Sequence, residues 1–242
     1  MTIDRAFLLH SVAYGETDRI VTLYGRALGK VSAMAKGAQK SRRRFGAALS
    51  LFVVGEASLS ERRGAELFLL ERFDAARDFT RLSQDVVKMA HASYVTELLR
   101  ELTVPRHPDA ALFDLTAAMY EALLVGPPRA DRLRIFELQL LDEIGLRPVF
   151  DRCVGCGTQA LASGAKVDPH RGGALCSDCG LGASGPPLAP PIAARLLALQ
   201  EGRLPDADAD IEATRTIVHA LVSSHLRAPL RTLEFIQKLR HA

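Results

Sequence analysis

Over the first 75 residues the apolar positions come in short runs bounded by turn residues. AFLLHS, RIVTLYG, KVSAMAKG, LSLFVVGEASL and ELFLLERF are each β-branched or aromatic-rich. Gly15, the Gly25–Gly29 turn, Gly37, Gly46 and Arg63-Gly64 separate them, so they read as five strands. Residues 31 to 36 alternate Val31, Ala33 and Ala35 with Ser32, Met34 and Lys36, which gives one buried face and one presented face. Five strands in so short a span predict a small closed barrel of the OB type, whose outer face and loops suit single strands. A five-stranded SH3-like barrel is the alternative.

From Phe79 onward the period changes from two to about 3.6. Leu82, Val86, Met89, Val95, Leu98 and Leu102 mark an amphipathic helix with Ser83 as its cap, stopped by Pro105 and Pro108. Asp109 caps a second helix, with Leu112, Leu115, Met119 and Leu123 on one stripe and Gly126-Pro127-Pro128 at its end. A third, over 130–144, is apolar almost all round and therefore central. Pro190-Pro191 open a fourth helix carrying Ile192, Leu196 and Leu199, and two more are predicted over 209–227 and 230–240. The fold class is thus α+β: a barrel domain over 1–78 and a helical domain over 79–150 and 187–242. The segment between, 151–186, is an insert followed by a Gly/Pro/Ala-rich linker.

Composition agrees with a folded chain: 48% of the 242 residues are hydrophobic and 24% charged. The longest uncharged run, Cys179 to Ala194, is 16 residues with four prolines and cannot form a membrane-spanning helix. The opening MTIDRAFLLHS lacks the basic and long apolar regions of a signal peptide, so a cytoplasmic location is expected. Charge is unevenly spread. Residues 19–55 hold eight basic side chains, Arg19, Arg26, Lys30, Lys36, Lys40, Arg42, Arg43 and Arg44, and no Asp or Glu. A block without counter-charge attracts a polyanion, nucleic acid being the commonest, although single-sign blocks also occur as merely solvated loops. Arg outnumbers Lys 25 to 6, which favours forked phosphate contacts. Aromatic residues such as Tyr14, Tyr24 or Phe45 are candidates to stack on bases.

Cys153-x2-Cys156, then 19 residues, then Cys176-x2-Cys179 is the paired-knuckle pattern of a structural zinc site. Four thiolates complete tetrahedral zinc and leave no open position, so one structural Zn2+ is expected, with His170 a solvated loop residue between the pairs. No catalytic constellation accompanies it. Gly25-Arg26-Ala27-Leu28-Gly29-Lys30-Val31 is one residue short of a phosphate-binding loop and has Val where a magnesium-binding hydroxyl belongs. No G-x-S-x-G, H-E-x-x-H or K-x-D-G is present, and the seven histidines are scattered. A nuclease or ligase subunit is therefore disfavoured.

Several strings resemble the RecO family of recombination mediators: Tyr14-Gly-Glu-Thr-Asp-Arg-Ile-Val, Gly29-Lys30, and Lys36-Gly-Ala-Gln-Lys-Ser-Arg-Arg-Arg. Phe136-Glu-Leu-Gln-Leu-Leu-Asp-Glu-Ile-Gly-Leu-Arg-Pro and Gly172-Gly-Ala-Leu-Cys-Ser-Asp-Cys complete the set, in order and over nearly the whole chain. The segment Leu230-Arg231-Thr232-Leu233 departs from a usually more basic, serine-containing counterpart. The resemblance implies a non-enzymatic, nucleoid-associated DNA repair protein that binds single- and double-stranded DNA and anneals complementary strands. It further implies engagement of the tail of single-stranded DNA-binding protein and, with RecR, loading of RecA onto coated DNA. Some family members lack the cysteines, so zinc would support the fold. Arg132 and Arg134, flanking an apolar helix surface, are the candidates to receive that tail. The rival is an RNA-binding or transcription accessory factor built from the same barrel and knuckle.

Overall fold

The computed structural model describes residues 1–41, 44–45, 49–61, 64, 66–159, 161, 164–205 and 210–240. Five strands, β1 (Thr2–Tyr14), β2 (Asp18–Gly25), β3 (Gly29–Ala35), β4 (Val53–Ser60) and β5 (Phe68–Asp78), close a barrel in the order β1-β2-β3-β5-β4. β3 and β5 run parallel and the other neighbours antiparallel, the Greek-key closure of the OB barrel. The interior takes the alternate residues: Val21 and Leu23, then Val31, Ala33 and Ala35, Ala57 and Leu59, and Phe68, Leu70 and Phe73.

β1 departs from simple alternation. Ala6, Phe7, Leu8 and Leu9 are all buried, because this strand is covered on both sides. Ala6 and Leu8 belong to the barrel interior. The Phe7 ring points the other way, with centroids 4.7 Å from Phe113 and 5.5 Å from Tyr120. The pairing with β2 slips between Leu8 and His10, a β-bulge that absorbs one extra residue. Beyond the bulge the facing inverts. Ser11 and Ala13 lie opposite Val21 and Arg19, while His10, Val12 and Tyr14 lie opposite Thr22, Ile20 and Asp18 on the outer side.

A short 3-10 helix, Thr80–Gln84, leads into α1 (Val86–Leu102), α2 (Ala110–Val125), α3 (Ala130–Glu143), α4 (Pro190–Gln200), α5 (Ile211–Ser223) and α6 (Arg231–Arg240). The cap of α1 is Asp85, not Ser83: its carboxylate accepts from the N–H groups of Val87 and Lys88 at 2.9 and 3.1 Å. A carboxylate also suits the positive end of the helix dipole better than a hydroxyl, and Ser83 instead donates to the Thr80 carbonyl within the 3-10 turn. Asp109 caps α2 and Pro190-Pro191 open α4, as the pattern predicts.

The described residues group into two compact units, Met1–Pro128 with Leu230–Ala242, and Arg129–Pro229. In the first, the rings of Phe7, Phe52 and Phe79 meet Tyr120 edge-on at 5.5, 5.8 and 5.4 Å. The Tyr120 hydroxyl donates to Thr96 Oγ1 at 2.5 Å, and Thr96 donates onward to the Ala92 carbonyl at 2.7 Å. Burial pushes the Tyr120 phenol far above its ordinary value, so it stays neutral. α6 completes this unit through Glu97 of α1, whose carboxylate accepts from the N–H groups of Arg231 and Thr232 at 3.3 and 3.0 Å. Those are two of the orphan donors of a helix N-terminus, satisfied by another helix. In the second unit α3 is central, packed by α4 and α5, and a two-stranded ribbon of β6 (Lys166–Asp168) and β7 (Gly173–Leu175) carries the cysteine segment.

Phe7→Ala empties a site lined by rings, so it should destabilise the first unit by about 3–5 kcal/mol, read by urea unfolding. Tyr120→Phe keeps the ring and loses only the hydroxyl bond, at about 1 kcal/mol.

Candidate nucleic-acid interface and metal centre

The inversion in β1 creates a distinct outer face. Cross-strand pairing lines up His10, Thr22 and Ser32 in one row and Val12, Ile20 and Met34 in the next, with Tyr14 beside Asp18 at the rim. Val12 is 41% exposed and Tyr14 55%, while Ile20 and Met34 are partly exposed. A contiguous apolar strip facing water marks a binding surface where scattered apolar residues would not. This is also the side on which OB barrels hold oligonucleotides. Of the three aromatic candidates Tyr14 is the exposed one; Tyr24 and Phe45 are buried. The alternation over residues 31 to 36 puts Met34 on the presented face, but sequence reasoning missed Val12 and Ile20 because an apolar residue in a strand reads as core. The parity of Ile20 against Val21 and Leu23 was the available signal.

The basic residues divide into two sets. Lys36 and Lys40 are exposed at the start of the β3–β4 connection. Arg44 lies over the Phe45 ring at 5.1 Å and donates to the Lys36 carbonyl at 2.6 Å and to Ser41 Oγ at 3.2 Å. Arg42 and Arg43 lie outside the described residues. The root of this connection is held by Asp18, whose carboxylate accepts from the Gly37 N–H at 2.8 Å and the Thr17 hydroxyl at 2.9 Å. Gly37 has φ 64°, a conformation in which a side chain would be strained. The Gly37 N–H first, then the Thr17 hydroxyl, hold the Asp18 carboxyl below its ordinary range.

Three of the expected phosphate ligands are engaged by other groups of the protein. Arg19 donates through Nε to Ser11 Oγ at 2.6 Å. Arg26 pairs with Asp114 on α2 and stands 5.8 Å from the centroid of the Phe113 ring. Lys30 donates through Nζ to the carbonyls of Arg100 and Thr103, the latter at 2.5 Å. Those are among the orphan acceptors at the C-terminus of α1, where a cation also meets the negative end of the dipole. Lys30 is therefore a cap for α1, a correction to its expected role. Its neighbour leaves no doubt about the fit: a Cβ on Gly29 would come 2.4 Å from the His107 carbonyl oxygen.

The four cysteine sulfurs all lie within 4.8 Å of one another. Cys156 Sγ and Cys176 Sγ are 3.8 Å apart, which matches the edge of about 3.8 Å expected of a tetrahedron with metal–sulfur distances of about 2.3 Å. Two equivalent knuckles form them, closed by Gly157 N–H to the Cys153 carbonyl and Gly180 N–H to the Cys176 carbonyl, both 2.8 Å. Gly155 passes so close that a Cβ there would sit 3.1 Å from Cys179 Sγ. Burial opposes ionisation of Cys153, but the N–H groups of Cys176, Cys156 and Gly155 outweigh it and bring the thiol down to about 6. Cys179, against the other three thiols, is pushed up to about 12. Four sulfurs so close cannot all be thiolates by themselves, and a divalent cation among them removes that conflict. His170 is exposed and outside the cluster.

On α3, Arg132 is exposed. Arg134 is a correction: its side chain is 6% exposed and its guanidinium lies against Glu137, with Nη2 to Oε1 at 2.8 Å. A helix buried nearly all round must supply any charge it carries with a partner, and Glu137 one turn on does so. Asp131 is served likewise by Arg195, both contacts at 2.9 Å.

Comparison with known proteins places these features in one family. The model for Recombination protein O N terminal matches residues 1–79 and that for Recombination protein O C terminal matches residues 83–234. The chain belongs to the RecO family. DNA repair protein RecO of Anaeromyxobacter dehalogenans is 40% identical over 98% of this chain and 98% of its own length. DNA repair protein RecO of Myxococcus xanthus is 36% identical over 98% and 97%. That of Geobacter metallireducens is 31% identical over 98% of each. The Lys30 cap, the Asp18 anchor and the sulfur cluster are thus features of a RecO chain.

Lys30→Ala should lower unfolding free energy by about 1–3 kcal/mol, since it strips a charged donor from partly buried carbonyls. Asp18, with its carboxyl held low, contributes to loop order above the ordinary carboxylate range and loses that contribution as pH falls through its depressed value. The protection factor of the Gly37 amide, its slowing of exchange relative to an unstructured amide at the same pH, should fall in acid, and in Asp18→Asn it should already be low at neutral pH.

Proposed function

We propose that this protein is a recombination mediator that binds DNA and pairs complementary strands without cleaving or joining them. The observation that carries the reading is the apolar strip of Val12, Ile20 and Met34 beside a basic connection that contains no acidic residue. Lys36, Lys40, Arg42, Arg43 and Arg44 contact phosphates, and Tyr14 stacks on a base of a single strand. Duplex DNA is held by the phosphate contacts alone. Annealing follows when the phosphates of two strands are neutralised on a surface that reads no sequence. Membership of a family whose relatives are named DNA repair proteins supports the same reading.

The wider assignment is that the protein works with RecR to load RecA onto DNA coated by single-stranded DNA-binding protein. The acidic, hydrophobic-ended tail of that coat protein is received by the second unit, where Arg132 is the exposed cation of α3. The metal is one Zn2+, held by Cys153, Cys156, Cys176 and Cys179, and its role is to order the ribbon. Thiolate donors favour zinc, and a closed set of four makes the site structural.

Annealing of complementary strands precoated with single-stranded DNA-binding protein tests the function: this chain should accelerate it, and failure to do so overturns the reading. Lys36→Ala with Lys40→Ala should flatten the slope of log K against log salt on single strands by about 0.7 per lost contact, by the same amount for any sequence. Elemental analysis should give one zinc per chain. Its removal by a chelator should unfold the second unit's ribbon and leave single-strand affinity, which resides in the barrel, largely intact.

A further inference from the structure

The four sulfurs are unequally placed. Cys153 and Cys176 are buried, Cys179 is partly covered and Cys156 is exposed. The exposure of Cys156 follows from how its knuckle is built. It stands between Gly155 and Gly157, so neither neighbour carries a side chain to shield it. Neither glycine is free to change: Gly157 has φ 78°, and Gly155 is pressed against Cys179. The sulfur of the exposed cysteine is also one of the pair 3.8 Å apart, its neighbour being Cys176 on the opposite knuckle.

We propose that Cys156 is an oxidation site for hydrogen peroxide, with Cys176 as its resolving thiolate, so that oxidation joins the two knuckles by a disulfide and discharges the metal. The inference rests on the metal reading above. The chemistry balances in two displacements. The Cys156 thiolate attacks one oxygen of the peroxide, the O–O bond breaks, and the leaving hydroxide takes a proton from solvent as water. The resulting sulfenic acid is attacked at sulfur by the Cys176 thiolate, the S–S bond forms, the S–O bond breaks, and hydroxide leaves to become water. Two thiolates, one peroxide and two protons give one disulfide and two waters, the two electrons passing from sulfur to oxygen.

Geometry permits this pair, and exposure picks Cys156 as its attacking member. The sulfurs need approach by less than about 2 Å to reach disulfide distance. An exposed cysteine beside a second thiolate is the arrangement of a redox-responsive site, whereas buried cysteines are shielded from an oxidant in solvent. Once both are consumed, Cys153 and Cys179 remain, and two thiolates do not complete a tetrahedral site. A thiol reductant returns both ligands.

The test uses the full chain, purified with its zinc and titrated with hydrogen peroxide. Released metal is read with a metallochromic dye, and disulfides are mapped by mass spectrometry of non-reduced peptides. The expected result is one zinc released per disulfide, the first disulfide joining Cys156 to Cys176, and recovery on adding reductant with zinc. Cys156→His preserves a four-ligand set and removes the attacking sulfur, so it should lose zinc about tenfold more slowly. A zinc-loaded chain that forms another disulfide first, releases zinc while Cys156 is still reduced, or keeps its zinc in excess peroxide overturns the proposal. The mapping on the native chain decides the matter whether or not the variant folds. A chain purified without chelator that contains no zinc overturns the metal reading itself, a distinguishable failure.

Discussion

The ring of Phe7 is buried on the outer side of a strand whose inner side already faces the barrel core, and this obliges the barrel to carry helices. Burying such a ring is worth about 1.5–3 kcal/mol, which is lost if the outer side of β1 meets water. Phe113 and Tyr120 supply the cover, and α2 is thereby fixed. α1 is held to it through the Thr96 and Tyr120 hydroxyls, and its C-terminal carbonyls then come within reach of Lys30. The connection after α1 closes over the β2–β3 turn, where Gly29 leaves no room for a Cβ. One end of the outer face of β2 and β3 is in this way taken by the helices.

The bulge in β1 settles what happens at the other end. Without the extra residue, Val12 and Tyr14 would turn inward and Ser11 and Ala13 outward. With it, the apolar strip lies on the open part of the barrel, next to the connection that Asp18 roots at Gly37. Apolar surface and positive charge are neighbours because of one irregularity in pairing, and phosphates and bases of one strand can be met together.

The barrel was legible because alternation in β3 is strict and turn glycines fall between the runs. The metal centre was legible because ligand spacing is itself the chemistry. What escaped depends on partners distant in sequence. Lys30, Arg26 and Lys36 look alike in a basic segment, yet the first two meet carbonyls or a carboxylate some 70 to 90 positions away, while Lys36 is exposed at the start of the β3–β4 connection. Arg134 resembles Arg132 until burial of α3 is known. Ser83 and Asp85 are both plausible caps, and the choice was made by where the 3-10 turn ends. The bulge carries no glycine to announce it, so the turning outward of Val12 and Tyr14 could not be read from β1 itself.

The Glu97 cap on α6 bears on the order in which the protein can be made. The first unit is discontinuous: α6 belongs with the barrel, yet the whole of Arg129–Pro229 precedes it in the chain. At ribosomal rates of about 5–20 residues per second, roughly 5–20 s pass between emergence of α2 and of α6. During that interval Glu97 has neither the Arg231 nor the Thr232 donor. The inserted unit, contiguous in sequence, is free to fold and close its cysteine cluster first. The barrel unit is sealed last, by a helix synthesised after everything it helps to hold.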